Sequence, residues 1–176
     1  AFMPNCPETI VAMLAAASIG AVFSSCSPDF GVKGVLDRFG QIEPSALVVV
    51  NGYGYGGKVF NRQDDFAGLI DGLHTLRCMV RVEQLPGEPA IAGDKVTHWD
   101  DALAEGQGQA PTFTPLPPDH PVYILYSSGT TGKPKCIVHG AGGLLVNHAK
   151  ELMLHGDVGP DDRFLYFTNC GWMMWN

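Results

Sequence analysis

The first 82 residues alternate between helix-type and strand-type segments, and this alternation constrains the fold more than any other feature. Apolar residues at helical spacing predict helices over residues 7–18, 28–42 and 64–73. Runs of β-type residues predict strands over residues 21–23, 46–50 and 78–82. Strands that alternate with helices are typical of parallel sheets, so the sequence predicts an α/β fold with mostly parallel sheets flanked by helices.

The first predicted helix, over residues 7–18, is apolar nearly all round. It carries Ile10, Val11, Met13, Leu14 and four alanines. A helix without a polar face is normally buried on all sides. We therefore expect this helix to lie inside the protein.

A glycine- and tyrosine-rich segment, residues 51–58, follows the strand-type run 46–50. One interpretation is a turn covered by aromatic side chains. The other is a nucleotide or phosphate contact made by Lys58, since glycine-rich loops after strands often approach phosphates. The sequence leaves both open.

The segment from Tyr126 to Lys135 lies between two further strand-type runs, residues 122–126 and 136–138, and has the sequence YSSGTTGKPK. Its last nine positions, 127–135, contain four hydroxyl residues, two glycines and two lysines. Glycines let backbone N–H groups approach an anion, hydroxyls donate hydrogen bonds to it, and lysines supply positive charge. This chemistry predicts a polyphosphate-binding loop, and a flexible polar hairpin loop is the structural alternative.

This loop is not a Walker P-loop. The two glycines, Gly129 and Gly132, are three positions apart, and Pro134 stands where a Walker loop has Ser or Thr after its lysine. The loop therefore indicates phosphate binding by a different class of protein.

The rest of the chain divides at a proline-rich stretch. Residues 83–98 are predicted to be irregular, residues 99–105 a short helix, residues 143–154 a helix and residues 164–167 a strand. Residues 110–121 contain five prolines and no periodicity, which predicts a semi-rigid connector. We thus expect an α/β subdomain over 1–109, a connector over 110–121 and a second sheet region over 122–176.

Charge and composition exclude some classes of function. The net charge of −7 disfavours a nucleic-acid surface. The longest apolar run, residues 10–23, contains Ser18 and Gly20 and is too short to span a bilayer. We therefore expect no nucleic-acid partner and no membrane span.

The five cysteines are widely spaced and include no Cys-x-x-Cys pair. Scattered cysteines of odd number indicate reduced thiols in a cytoplasmic protein. The six histidines are equally dispersed, so the sequence shows no metal-ligand cluster.

Three features together resemble the AMP-forming acyl-CoA synthetases, an adenylate-forming family. These are the alanine-rich helix followed by the Ser27-Pro28 turn, the loop 127–135, and Gly171-Trp172 after a strand-type run. Only the loop is sharply specific. The ending Gly171 to Asn176, with Met at 174, resembles the branch of the family that activates acetoacetate rather than acetate.

The resemblance implies substrates and site residues. It implies ATP, Mg²⁺ and coenzyme A, and an acyl or coenzyme A pocket at Trp172, Met173 and Met174. The alternative for these three residues is an ordinary core position. The phosphate-binding residues implied are Ser127, Ser128, Gly129, Thr130, Thr131, Gly132, Lys133 and Lys135, of which Lys135 could instead pair with a structural carboxylate.

The ends of the chain suggest a longer polypeptide, because residue 1 is not Met and the chain stops within an aromatic run. We therefore expect no catalytic or metal-binding residue to be assignable here and the chain by itself to be inactive. The alternatives are a synthetase for another short or medium-chain acid, an adenylating enzyme that loads a carrier protein, and a non-catalytic nucleotide-binding module.

Overall fold

The computed structural model of the protein describes residues 1–87, 93–127 and 132–175. Within these ranges the helices are α1 (Pro7–Ser18), α2 (Gly31–Phe39), α3 (Asp65–Gly72), α4 (Trp99–Glu105) and α5 (Ala141–Ala149). The strands are β1 (Ala46–Val50), β2 (Gly52–Tyr55), β3 (Lys58–Asn61), β4 (Cys78–Val82), β5 (Val96–His98), β6 (Pro121–Ser127) and β7 (Lys135–Gly140). A 3₁₀-helical turn (Pro28–Phe30) precedes α2, and a π-helical segment (Lys150–His155) follows α5.

The central sheet has three parallel strands in the order β1–β4–β5. Ala46 pairs with Cys78 at one end of the β1–β4 ladder, and Val50 pairs with Val82 at the other. Helix α3 lies in the connection from β1 to β4, as expected of a parallel crossover. The parallel sheet and its flanking helices confirm the predicted α/β class.

The main core lies between this sheet and the helices α2 and α3. Val35 and Phe39 of α2 and Phe66 and Leu69 of α3 are all almost fully buried. They cluster with Leu47 and Val49 of β1, Met79 of β4, and Phe2, Cys26, Leu73 and Leu76. Each helix therefore contributes one apolar face, as the spacing of its apolar residues predicts.

Two antiparallel hairpins accompany the parallel sheet. The first joins β2 to β3 through Gly56 and Gly57, whose φ angles of +58° and +76° suit glycine. The glycine- and tyrosine-rich segment is thus a strand pair and not a turn alone, because its residues find partners in β3. The second hairpin joins β6 to β7 and carries the predicted phosphate loop.

The short segment 23–27 connects the parallel sheet to the second hairpin. The N–H of Phe23 donates to the carbonyl of Val122 at 2.8 Å, and the N–H of Ile124 donates to the carbonyl of Phe23 at 2.9 Å. The predicted strand over residues 21–23 is wrong in extent, since only Phe23 makes a strand-type bridge, to Tyr123.

The prediction that α1 is buried on all sides is wrong. Only Thr9 is fully buried, while Ile10, Val11 and Leu14 are 41%, 45% and 59% exposed. The apolar side of α1 lines an open cleft of about 800 Å³ that α4 and residues 109–112 border. Composition gives the faces that a helix could bury, whereas burial depends on a neighbouring element that covers them.

Two predictions for the last third of the chain also need correction. Helix α5 begins two residues earlier than predicted and changes to π-helical geometry at Lys150. Residues 162–169 contain no strand, because the described residues offer no neighbouring strand to pair with them. Residues 109–117 have no regular secondary structure, and the division into 1–109, 110–121 and 122–176 stays a prediction.

Candidate active site

The predicted phosphate loop joins two strands that pair up to its ends. Tyr126 pairs with Cys136, and Ser127 pairs with Lys135. The antiparallel ladder therefore brings Ser127 and Lys135 side by side where the loop begins and ends. A loop carried on such a ladder has fixed ends, which is the usual arrangement for a binding loop on a rigid scaffold.

The described residues of the loop are exposed. Lys133 and Lys135 both lie at the surface, and Ser127 is half-buried. Gly132 has a φ of +139°, and a Cβ atom there would meet no atom within 4 Å, so the backbone angle rather than crowding favours glycine. Neither lysine forms an ion pair with any carboxylate in the described residues, so both ammonium groups remain available to an anion.

Four of the predicted phosphate-binding residues, Ser128, Gly129, Thr130 and Thr131, lie outside the described residues. Their proposed role depends on the sequence alone. The structure places the four others, Ser127, Gly132, Lys133 and Lys135, at the two ends of the same loop.

A half-buried tyrosine, Tyr126, lies directly before the loop. Ser24 donates a hydrogen bond to the carbonyl of Ile124 at 2.6 Å, and its hydroxyl lies 3.2 Å from the hydroxyl of Tyr126. Burial raises the pKa of Tyr126, so its phenol stays protonated at neutral pH. Ser24 thus fixes β6 immediately before Ser127.

A second part of the candidate site is a cavity of about 730 Å³. Its walls come from strand β2, the turn around Ser27 to Asp29, and residues 166–174. Trp172 and Met174 line the cavity and are 64% and 66% exposed, while Met173 is 37% exposed and does not line it. Trp172, Met173 and Met174 are therefore surface residues in the described structure, and their role in an acyl or coenzyme A pocket stays a prediction.

The turn that carries Trp172 is attached to residues 25–27. Ser25 donates to the carbonyl of Cys170, and the thiol of Cys170 donates to the carbonyl of Met3 at 2.6 Å. Gly171 lies so close to Ser27 that a Cβ atom would be 2.8 Å from the Ser27 nitrogen. The order Cys170-Gly171-Trp172 thus has a structural reason, which is close contact between two backbones.

The opposite wall of the cavity is held by a hydrogen bond between Tyr53 and Asp29. The phenol of Tyr53 donates to one carboxylate oxygen of Asp29, and Ser27 donates to the other at 2.8 Å. Burial and the neighbouring Asp29 both raise the pKa of Tyr53, which keeps the phenol a donor. Lys58 is exposed and is not part of the cavity wall, so its contact with a nucleotide stays a prediction.

Sequence reasoning missed the importance of Ser24 and Ser25. Ser24 holds the strand that leads into the phosphate loop, and Ser25 holds the turn that carries Trp172. Adjacent residues of a strand-like segment point to opposite sides, so a pair of serines can hold two elements at once. The available signal was the run of four small residues from Ser24 to Ser27 after an apolar segment.

No cluster of three or more His, Cys, Asp or Glu side chains that could hold a metal ion exists among the described residues. All five cysteines are free thiols. None of the helices in the described ranges combines the length and the apolar character that a bilayer-spanning helix needs.

The loop, the hairpin that carries it and the α/β scaffold agree with the result of a family comparison. The chain matches the AMP-binding enzyme family over residues 1–175. The chain therefore belongs to the AMP-binding enzyme family, and the family predicted from the loop and its neighbours is confirmed.

The individual relatives point to one branch of this family. The chain is 49% identical over 179 residues to acetoacetyl-coenzyme A synthetase of Rhizobium meliloti (strain 1021), which covers 100% of this chain and 27% of the relative. It is 46% identical over 181 residues to acetoacetyl-CoA synthetase of Gallus gallus, with 99% and 27% covered. It is also 43% identical over 183 residues to malonamoyl-CoA synthetase of Penicillium aethiopicum, with 99% and 25% covered.

The structural comparison agrees with the sequence comparison. The solved structure of acetoacetyl-CoA synthetase from Streptomyces lividans matches with a TM-score of 0.92 and 48% sequence identity, over 99% of this chain and 26% of that chain. The chain thus spans about a quarter of the length of the relatives it matches.

Proposed function

We propose that this chain carries the phosphate-binding loop and part of the acyl pocket of an ATP-dependent acid–thiol ligase. The ligase activates a short carboxylic acid, with acetoacetate preferred, and transfers it to coenzyme A. The observation that carries the proposal is the loop 127–135 in a chain that belongs to the AMP-binding enzyme family.

The reaction has two steps. The carboxylate oxygen of the acid bonds to the α-phosphorus of ATP, and the bond from that phosphorus to the bridging oxygen breaks, which releases pyrophosphate. The thiolate of coenzyme A then bonds to the carbonyl carbon of the acyl-adenylate and releases AMP. Negative charge develops on the leaving pyrophosphate, so fixed donors around it lower the barrier.

The loop supplies such donors. We assign the β- and γ-phosphates of ATP to the hydroxyls of Ser127, Ser128, Thr130 and Thr131 and the ammonium of Lys133, with Gly129 and Gly132 permitting close backbone approach. Lys135 lies beside Ser127 and is not paired with a carboxylate among the described residues, which supports a role on the same phosphates. Mg²⁺ is proposed as the companion of the ATP phosphates, and no residue of this chain is assigned to it.

The acid is assigned to the cavity that Trp172 and Met174 line. Their side chains are apolar, so the wall they form favours a methyl group over a polar group that would lose its water without gaining a hydrogen bond. Acetoacetate ends in a methyl group beside its ketone, which fits such a wall. Met173 does not line this cavity, and its assignment to the acyl pocket follows only from the resemblance of residues 171–176 to the family.

The test is pyrophosphate exchange into ATP by the full-length protein with acetoacetate, acetate, propionate and butyrate. We expect the fastest exchange with acetoacetate. Faster exchange with another acid would support the adenylation reaction but refute acetoacetate as the preferred substrate. No exchange with any of the four acids would refute the reaction itself.

A second candidate substrate is malonamate, because one relative is named malonamoyl-CoA synthetase. Malonamate has nearly the shape of acetoacetate, with an amino group in place of the methyl group. The apolar wall at Met174 should discriminate against malonamate by about 5- to 150-fold, since leaving a polar amide group unpaired costs about 1–3 kcal/mol. Equal exchange with both acids would show that the pocket does not discriminate between a methyl and an amino group at this end of the acid.

The role of Lys133 is tested by Lys133→Ala in the full-length protein. Loss of an ammonium group from the pyrophosphate should slow single-turnover adenylate formation by about tenfold or more. Lys33→Ala is the matched control, because Lys33 is an exposed lysine of α2 outside the loop. Equal rates for Lys133→Ala and Lys33→Ala would contradict a phosphate contact of Lys133.

We further propose that the 176-residue chain alone has no synthetase activity and that the protein is cytoplasmic. The chain covers about a quarter of its relatives, so most of their residues have no counterpart in it. Coenzyme A-dependent consumption of ATP by the purified chain would overturn the first proposal. Saturable binding of Mg-ATP without turnover would instead favour a non-catalytic nucleotide-binding module.

A further inference from the structure

Helix α2 ends beside both ends of the predicted phosphate loop. The ring of Phe39 lies 6.4 Å from the ring of Tyr126, centroid to centroid. The guanidinium of Arg38 stacks on Phe30 at 4.1 Å and lies 5.9 Å from the centroid of Tyr126. These contacts hold the end of α2 against the strand that enters the loop.

Gln41 makes the contact with the other end of the loop. Its side-chain amide nitrogen donates to the carbonyl of Pro134 at 2.9 Å and to the carbonyl of Asp37 at 2.7 Å. Both partners are carbonyl oxygens, which accept only, so the amide must present its nitrogen to them. The bond to Asp37 anchors the side chain on α2, and the bond to Pro134 joins the loop to that anchor.

From these contacts we infer that Gln41 is a positioning residue for the phosphate loop. Its bond to Pro134 fixes the backbone between Lys133 and Lys135, the two lysines of the loop, relative to α2. Arg38 and Phe39 fix the Tyr126 side independently, so removal of the Gln41 bond releases only the Pro134 side. This inference depends on the proposed function for its effect on ATP and on geometry alone for its effect on the loop.

The expected size of the effect follows from one neutral hydrogen bond at the surface. Such a bond changes an equilibrium by about fivefold, within a range of about two- to tenfold. Gln41 does not touch the reacting atoms, so its loss should raise the KM for ATP by this factor. The KM values for the acid and for coenzyme A should stay unchanged.

The test variant is Gln41→Met in the full-length protein. Methionine has nearly the length of glutamine and the same charge but no donor. Gln109→Met is the matched control, because Gln109 also donates to the carbonyl four residues earlier, that of Glu105 at 3.1 Å, and is also exposed. The Gln109 side chain makes no hydrogen bond to residues 127 or 132–135, the described part of the loop.

Two measurements are made on the wild type and both variants. Hydrogen–deuterium exchange of residues 132–137, on the Pro134 side of the loop, should be about two- to tenfold faster in Gln41→Met and unchanged in Gln109→Met. Pyrophosphate exchange should show a raised KM for ATP with Gln41→Met only.

The outcomes separate the two proposals. Equal hydrogen exchange in all three proteins overturns the inference, whatever reaction the protein catalyses. A wild type without pyrophosphate exchange refutes the proposed function, and the hydrogen-exchange rates then decide the inference alone. An equal KM for ATP in an active Gln41→Met variant also overturns it.

Discussion

Substitution of Gly171 by alanine tests how the turn that carries Trp172 is held. A Cβ atom at position 171 would lie 2.8 Å from the nitrogen of Ser27, 2.9 Å from the Cβ of Ser27 and 3.1 Å from Cε2 of Phe30. The first of these atoms is backbone, so it cannot rotate away as the end of a long side chain would. The substitution must therefore shift either the turn or the segment around Ser27.

Both sides of this contact are anchored. Cys170, the residue before Gly171, is 1% exposed and donates its thiol hydrogen to the carbonyl of Met3 at 2.6 Å. Ser25 donates to the carbonyl of Cys170. A shift large enough to admit a methyl group would strain these bonds, and overpacking of this kind costs about 1–3 kcal/mol. For a chain of this size, about 2–4 °C of Tm corresponds to 1 kcal/mol, so the Tm should fall by roughly 2–12 °C.

The matched control is Gly143→Ala in helix α5. A Cβ atom at position 143 meets no atom within 4 Å, and alanine is favoured over glycine in a helix by at most about 1 kcal/mol. We therefore expect the two substitutions to shift the Tm in opposite directions, with a lower Tm for Gly171→Ala and a higher Tm for Gly143→Ala.

Thermal unfolding followed by circular dichroism, with urea unfolding for the free energy, measures both variants against the wild type. A Gly171→Ala protein as stable as the wild type would refute the close contact between Gly171 and Ser27. In the full-length protein Gly171→Ala should also raise the KM for the acid, because Trp172 follows Gly171 directly and lines the cavity.

Three further predictions concern the scaffold of the site. Asn51→Ala should lower the free energy of unfolding by about 2–4 kcal/mol, measured by urea unfolding. The Asn51 side chain is fully buried and makes three hydrogen bonds to the backbone of residues 84–85, whose polar groups would lose their partner. A loss below about 1 kcal/mol would contradict this prediction. Leu69→Ala should lower the free energy of unfolding by about 2–5 kcal/mol, because Leu69 is 0% exposed. Leu103→Ala is the control and should lower it much less, because Leu103 is 53% exposed. Equal losses for the two variants in urea unfolding would refute the position of the core. Burial raises the pKa of the Cys26 thiol from 9.0 to about 12. The protonated thiol therefore contributes its full stabilisation of the folded state below pH 9, and this stabilisation is lost as the pH rises toward 12. The free energy of unfolding should therefore fall over this interval less steeply in Cys26→Ala than in the wild type, and the exposed Cys78 should react with iodoacetamide well before Cys26 in the wild type.

Sequence reasoning succeeded where a local pattern determines a local structure. β-Branched runs such as Val48-Val49-Val50 form buried parallel strands, and the apolar spacing in α2 and α3 gives the faces that form the core. Phosphate binding by the loop 127–135 stays a prediction, made because that chemistry needs glycine, hydroxyl and ammonium groups close together. These patterns do not depend on what the segment contacts elsewhere.

Sequence reasoning failed where the answer depends on a distant partner. The apolar helix α1 is largely exposed and residues 164–167 form no strand, since burial and strand pairing both need a second element in the right place. The hydrogen bond from Gln41 to the loop could not be predicted for the same reason, because its partner Pro134 lies 93 residues away in the chain.

The sequence by itself therefore determined the α/β class through the periodicity of short segments, and the family through the resemblance of the loop 127–135 and its neighbours. Tertiary structure alone decided which elements the site combines. Ser24 and Ser25, adjacent in the chain, hold the phosphate-loop strand and the Trp172 turn, which lie 100 and 145 residues further along. Contacts at such separations follow from packing of the whole chain, and no local pattern records them.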